Sequence, residues 1–112
     1  MVEVVGTDEF VDWFGDLSDA DRESVARYVD LLEMQGVALG HPYSSAINGA
    51  SFPLRELRVQ SQGRPLRVFY AFDPKRRAVV LIGGDKTGKD RFYEEYIPLA
   101  TAIWNEYLRE TR

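Results

Sequence analysis

Hydrophobic positions recur at two different spacings and so divide the chain into elements. Phe10, Trp13, Phe14 and Leu17 repeat at helical intervals, which predicts a first helix with one face turned inward. Thr7 stands where an N-cap belongs, and Asp8 and Glu9 suit the positive end of the helix. Ser18 can cap a second helix with Asp19, Asp21 and Glu23 in its first turn, Val25, Val29 and Leu32 as its apolar stripe, and Gly36 as its stop. Together these make a helical hairpin. From Gly40 to Pro53 the pairs His41-Pro42, Ser44-Ser45 and Asn48-Gly49 all favour turns, so this stretch reads as an irregular crossing.

From Leu54 the pattern changes to strands, over Leu54–Gln60, Leu66–Phe72 and Ala78–Ile82. Asp73-Pro74-Lys75-Arg76 has Asp and Pro where a type I turn prefers them, which makes the last two strands an antiparallel hairpin. Ala78–Ile82 is apolar throughout, as suits a central strand covered on both faces. Phe92, Tyr96, Ala100, Ile103 and Tyr107 then return to helical spacing, with Pro98 as a kink or restart. A short leading strand at Val2–Val5 completes the set. The expected fold is α+β: two N-terminal helices packed on a small, mainly antiparallel, twisted sheet of three to four strands, followed by a C-terminal helix.

At 112 residues the chain fits one domain, spanning 1–112. Two Trp, six Tyr and six Phe supply the large apolar areas that disordered chains lack. With no Cys and only His41 as a histidine, metal chemistry built on those ligands is excluded, and no cofactor is expected. His41 reads as a surface or packing residue rather than a catalyst. No apolar run approaches the ~20 residues of a membrane span. The first residues lack a basic then apolar leader pattern, so a soluble, cytoplasmic protein without a membrane partner is expected.

Charge changes the picture, because the net −4 averages unequal segments. Residues 1–50 hold ten acids against Arg22 and Arg27, whereas residues 51–91 hold ten bases, seven of them Arg, against four acids. The basic stretch fits a phosphate-binding face better than scattered solubilising charge. One motif within it is deceptive. Gly83-Gly84-Asp85-Lys86-Thr87-Gly88-Lys89 begins like a P-loop, but Asp90 replaces the magnesium-binding hydroxyl and only one helix remains after it. No nucleotide cofactor is expected, and the segment reads as a glycine-permitted turn with Asp90 capping the next helix.

Leu54-Arg55-Glu56-Leu57-Arg58, Arg64-Pro65-Leu66-Arg67-Val68-Phe69-Tyr70-Ala71, and Val79-Val80-Leu81-Ile82 followed by Gly83–Lys89 resemble the toxins of the RelE/ParE superfamily, in particular the HigB-like, phage-related branch. The resemblance implies the toxin of a type II toxin–antitoxin pair with a helix-turn-helix antitoxin as partner. In the RelE and HigB branches such a toxin cleaves mRNA at the ribosome; in the ParE branch the fold poisons DNA gyrase instead. By the same resemblance Arg58 matches a basic strand residue near the active site and Arg67 a phosphate-contacting arginine. Lys86 and Tyr93 match the basic residue and the aromatic of the C-terminal segment. Two positions depart from the pattern: RelE members carry Lys where Glu56 stands, and the HigB branch often has an aromatic and a second Lys around Gly84–Lys86.

RNA carries its own nucleophile, the 2′-hydroxyl, so cleavage needs alignment and charge stabilisation rather than a metal. Arg58 and Arg67, on adjacent strands, can converge on one phosphate. A lysine crowded by arginines has its charged form disfavoured, which suits Lys86 to proton transfer. Glu56 is a competing base, or a salt-bridge partner for Arg55. The expected catalytic set is Arg58, Arg67, Lys86 and Tyr93. The expected RNA-binding set is Arg55, Arg64, Tyr70, Arg76, Arg77, Lys89 and Arg91, with core packing as the other reading of Tyr70 and Tyr93. The expected activity is a metal-independent mRNA endoribonuclease, with a gyrase poison or a non-catalytic nucleic-acid-binding descendant as alternatives.

Overall fold

A computed structural model describes residues 1–111. The elements are β1 (Val4–Gly6), α1 (Asp8–Gly15), α2 (Asp19–Gln35), β2 (Ser44–Ala46), β3 (Arg55–Ser61), β4 (Arg64–Phe72), β5 (Ala78–Asp85) and α3 (Phe92–Glu110), with a single 3-10 turn at Gly36–Ala38. The strands form one sheet of order β1-β5-β4-β3-β2. β1 runs parallel to β5 and every other pairing is antiparallel. The α+β architecture is the expected one, with five strands in place of three to four. The additional strand, β2, falls inside the stretch read as an irregular crossing. Three residues with turn-forming neighbours carry no periodicity of their own, and pairing with β3 makes them a strand.

Both N-caps act as their sequence suggests. Thr7 Oγ1 accepts from Phe10 N–H at 3.1 Å and donates to the Leu81 carbonyl at 2.7 Å, tying α1 to β5. Ser18 Oγ accepts from Asp21 N–H at 3.2 Å. Two core clusters fill the two faces of the sheet. Leu57, Val59, Leu66, Val68, Tyr70 and Val80 face α1 and α2, while Phe69, Ala71, Val79 and Leu81 face α3. β5 is thus covered on both sides, and a bulge opposite Phe69 and Tyr70 keeps its later residues in register.

Three features of the C-terminal half differ from expectation. Gly83 and Gly84 lie inside β5 rather than in a loop. A Cβ on Gly83 would enter the Trp13 ring, and one on Gly84 would come within 2.6 Å of the Tyr96 ring. Two aromatic rings pressed on opposite faces of the strand account for this pair of glycines. α3 runs unbroken through Pro98, where the proline forfeits the bond to the Glu94 carbonyl and packing against β5 outweighs that loss. Arg91, not Asp90, occupies the N-cap, without a side-chain cap bond.

Two carboxylates staple helices to the sheet. Asp21 on α2 is buried and accepts from Ser61 Oγ at 2.7 Å and from Arg64, whose other nitrogen reaches Asp85 at 3.0 Å. The Arg64 bond holds the Asp21 carboxyl below its usual range, helped by Ser61 and opposed by burial. Asp73 accepts from the backbone N–H of Lys75 and Arg77, from Arg77 Nε, and from the Tyr107 hydroxyl of α3. Burial pushes the Asp73 carboxyl up, but the bonds from Arg77 and Tyr107, with the Arg77 charge, outweigh it and leave it lowered. Such groups contribute stability that is fully present above the unfolded carboxylate value of about 3.9 and is lost as pH falls through the folded value. Thermal melts should therefore show stability falling on acidification below about pH 4. Asp21→Asn should lower stability by roughly 1–3 kcal/mol at neutral pH and flatten part of the acid dependence, which melts from pH 2 to 8 would read.

Candidate active site

Arg58 on β3 and Arg67 on β4 are direct cross-strand partners. The Arg58 N–H points outward to the Tyr43 carbonyl at 2.8 Å, so the two form a non-hydrogen-bonded pair, the arrangement that brings side chains closest. Both project from the α3 face of the sheet. Two like charges this close need a counter-ion, and β3 supplies it two residues earlier on the same face. Glu56, 3% exposed, accepts from Arg58 Nη1 at 3.2 Å through Oε2, and its Oε1 lies 3.5 Å from Arg67 Nε.

Two further donors complete the shell of Glu56. Ser45 on β2 donates to Oε2 at 3.0 Å, and the Tyr93 hydroxyl, on the first turn of α3, donates to Oε1 at 2.8 Å. Burial raises the Tyr93 pKa above the usual phenol value, and the Glu56 carboxylate adds to the rise. Tyr93 therefore holds its proton at neutral pH. Lys86, just past the end of β5, places its ammonium 5.8 Å from the centre of the Tyr93 ring, a cation–π distance. Arg67 is itself buried, because it sits on an interior strand between β3 and β5. Its Nη1 reaches only the adjacent Leu66 carbonyl at 3.1 Å, and its Nε makes no well-formed hydrogen bond. The Nε instead faces the Glu56 carboxylate as an ion pair.

Two open clefts border the cluster. One of about 500 Å³ is walled by Ser45, Glu56, Arg58, Tyr93 and Ile97. The second, about 420 Å³, is walled by Tyr28, Tyr43, Arg58, Gln60 and Arg67. Arg58 and His41 border both. A separate hollow of about 210 Å³ between β1–α1 and the end of α3 carries Asp8, Glu9, Glu106 and Glu110, which would repel phosphate. Among the described residues no group of three or more metal-ligating side chains is gathered, and no helix is long and apolar enough to cross a membrane.

The model of a family described as "Phage derived protein Gp49-like (DUF891)" matches residues 12–105. The chain belongs to this Gp49-like family. Across 90 residues it is 42% identical to a Mycobacterium tuberculosis protein named as toxin HigB3, covering 79% of this chain and 77% of the relative. It is 36% identical over 101 residues to a second protein of that organism, named as toxin HigB2, covering 88% of this chain. The chain spans about half the length of that second relative, 50% of it. The phage-related, HigB-like branch suggested by the strand motifs is thus the one matched.

In this Gp49-like protein all four expected catalytic residues, Arg58, Arg67, Lys86 and Tyr93, meet at one place. The expected RNA-binding residues do not. Tyr70 is wholly buried on the opposite face, with its hydroxyl between Ser44 and Arg55 Nε, so it offers no ring to a base. Arg55 also turns to that face and bonds Ser44, Tyr70 and the Leu39 carbonyl, so Glu56 pairs with Arg58 and Arg67 instead of Arg55. Arg64 and Arg77 are committed to the two staples. Arg76 is exposed at the β4–β5 turn, at the far end of the hairpin from Arg67. Lys89 and Arg91 are exposed in the segment before α3, where Arg91 lies 3.9 Å from Glu94.

Ser45 escaped the sequence reading because its segment showed no strand period. Removing the central carboxylate should expose how far the cluster depends on it. Glu56→Ala should destabilise the fold by about 3–5 kcal/mol, the cost of leaving buried charge without its partner. Urea titration would measure this, with Glu56→Gln, whose one amide oxygen keeps an acceptor for Ser45 or for Tyr93, losing less.

Proposed function

We propose that this protein is the toxin of a toxin–antitoxin pair and a metal-independent endoribonuclease that cuts mRNA, with the ribosome as the place of action and a helix-turn-helix antitoxin as its cognate partner. The observation that carries the reading is the cluster of Arg58, Arg67, Glu56 and Tyr93 on the wall between two clefts. The names of its relatives as toxins support the biological role.

The cluster holds what transesterification needs. A phosphate in the cleft takes the free donors of Arg67 and Arg58, which stabilise charge building on its non-bridging oxygens. The incoming phosphate draws Arg58 off Glu56, and the freed Glu56 oxygen accepts the proton of the 2′-hydroxyl as that oxygen attacks phosphorus. The bond to the 5′-oxygen breaks, and Tyr93, which keeps its proton at neutral pH, delivers it to the leaving oxygen. Lys86 stands against the Tyr93 ring and steadies the phenolate that results. The products are a 2′,3′-cyclic phosphate and a free 5′-hydroxyl, and proton and electron pairs balance without metal or cofactor. Glu56 takes the base role for which Lys86 and Glu56 both competed in the sequence.

A gyrase poison would not need a carboxylate and a phenol poised between two phosphate-sized donors, so the nuclease reading is preferred. Single-turnover cleavage on programmed ribosomes tests it. Arg67→Ala should slow cutting by ~10²- to 10³-fold, and Glu56→Gln by ~10²- to 10⁴-fold. Arg76→Ala, at the far hairpin turn, should leave the chemical step unchanged. A folded Arg67→Ala protein that cuts at the parental rate contradicts the assignment.

A further inference from the structure

The cleft on the Tyr43 side of the arginines carries groups that the phosphate chemistry leaves unused. Tyr43 is 41% exposed, and its ring is met edge-on by Tyr28 of α2 at 6.1 Å between centroids. An aromatic ring braced by a T-shaped neighbour and partly open to solvent can serve as a stacking platform. Its backbone is also fixed, because the Tyr43 carbonyl accepts the N–H of Arg58 at 2.8 Å. The platform and the phosphate-binding arginine are therefore held at a set distance.

Gln60 forms the polar side of the same cleft. It lies two residues beyond Arg58 on β3, on the same face and exposed, which is about 7 Å along the strand. Because alternate residues of a strand direct their backbone groups to the same side, the Gln60 N–H and C=O point the way Arg58 N–H does. β2 ends its pairing at Ser44 opposite Leu57, so at Gln60 no strand covers that edge. A side-chain amide, with donors and an acceptor in one plane, can pair with a base edge. The cleft volume of about 420 Å³ falls in the range of small-ligand sites.

Resting on the nuclease reading of the adjoining cluster, we propose that this cleft is a nucleobase subsite. A base of the nucleotide next to the scissile phosphate stacks on Tyr43 and is discriminated by Gln60, while Arg58 and Arg67 hold the phosphate. Base preference would then reside in Gln60 and the uncovered β3 edge, and strand affinity in Tyr43. A peptide is the poorer occupant: an arginine pair beside an aromatic platform matches alternating phosphate and base, and nothing on this wall besides the buried Glu56 offers a charge for a basic side chain.

The test uses trinucleotides methylated at every 2′-oxygen, which cannot be cut, in four versions differing in one base, with affinity read by NMR titration of the full chain. Tyr43→Ala should weaken binding by roughly 5- to 150-fold, the range for loss of one stacked base, and Tyr43→Phe should restore it. Gln60→Ala should narrow the differences among the four bases. Inorganic phosphate affinity should be unchanged in all three variants. Equal trinucleotide affinity in Tyr43→Ala and wild type, or no binding by wild type at millimolar concentration, overturns the subsite. Binding that follows this pattern in a protein that cuts no RNA upholds the subsite and overturns the nuclease reading. Cutting by a protein whose trinucleotide affinity ignores Tyr43 does the reverse.

Discussion

Two guanidinium groups stand side by side on neighbouring strands, and one buried carboxylate makes that tolerable. Arg58 and Arg67 occupy a pairing position where side chains approach most closely, so their repulsion must be met locally. Glu56 meets it from the same face of β3, and Ser45 and Tyr93 fix the carboxylate by hydrogen bonds from β2 and α3. Four elements, β2, β3, β4 and α3, are thus drawn together around one charge. Arg67 Nε faces that carboxylate as an ion pair without a well-formed hydrogen bond, while Arg67 also borders the second cleft.

The rest of the frame holds this geometry in place. The Asp21–Arg64–Asp85 bridge ties α2 to the start of β4 and the end of β5, close to the register position of Arg67. The Asp73–Arg77–Tyr107 bridge pins the far half of α3 to the β4–β5 turn. With α3 held there and Tyr96 pressed on Gly84, Tyr93 arrives over Glu56 as a consequence of helix placement. Many of the basic residues that make residues 51–91 look like one cationic face are spent on internal bonds. Under the proposed reading, the arginine pair rather than the whole segment takes the scissile phosphate.

Much of the fold could be read from the chain because its signals are local: Thr7 and Ser18 as caps, the apolar stripes of the helices, and the unbroken apolar run of β5. β2 was hidden because a three-residue edge strand has no period to detect. Pro98 misled because helix continuity there is set by packing against β5. The four residues that cluster around Glu56 could be picked out through a family resemblance, whereas the partners of the arginines could not. Strand alternation puts Arg55 and Arg58 on opposite faces, yet only the register with β4 and the position of α3 reveal which face meets RNA-sized space. Charge counting could not separate Arg64 and Arg77, which brace the fold, from Arg58 and Arg67.

The central claim is that the carboxylate-bridged arginine pair cuts RNA by 2′-hydroxyl attack without a metal. The most direct measurement is the chemistry of the cut ends, determined by mass spectrometry of RNA cleaved on ribosomes by the purified protein in two parallel reactions, with magnesium alone and with added zinc and manganese chelators. The account predicts 2′,3′-cyclic phosphate and 5′-hydroxyl ends in equal yield under both conditions. Ends bearing a 3′-hydroxyl and a 5′-phosphate, or cleavage abolished by the chelators, would contradict it.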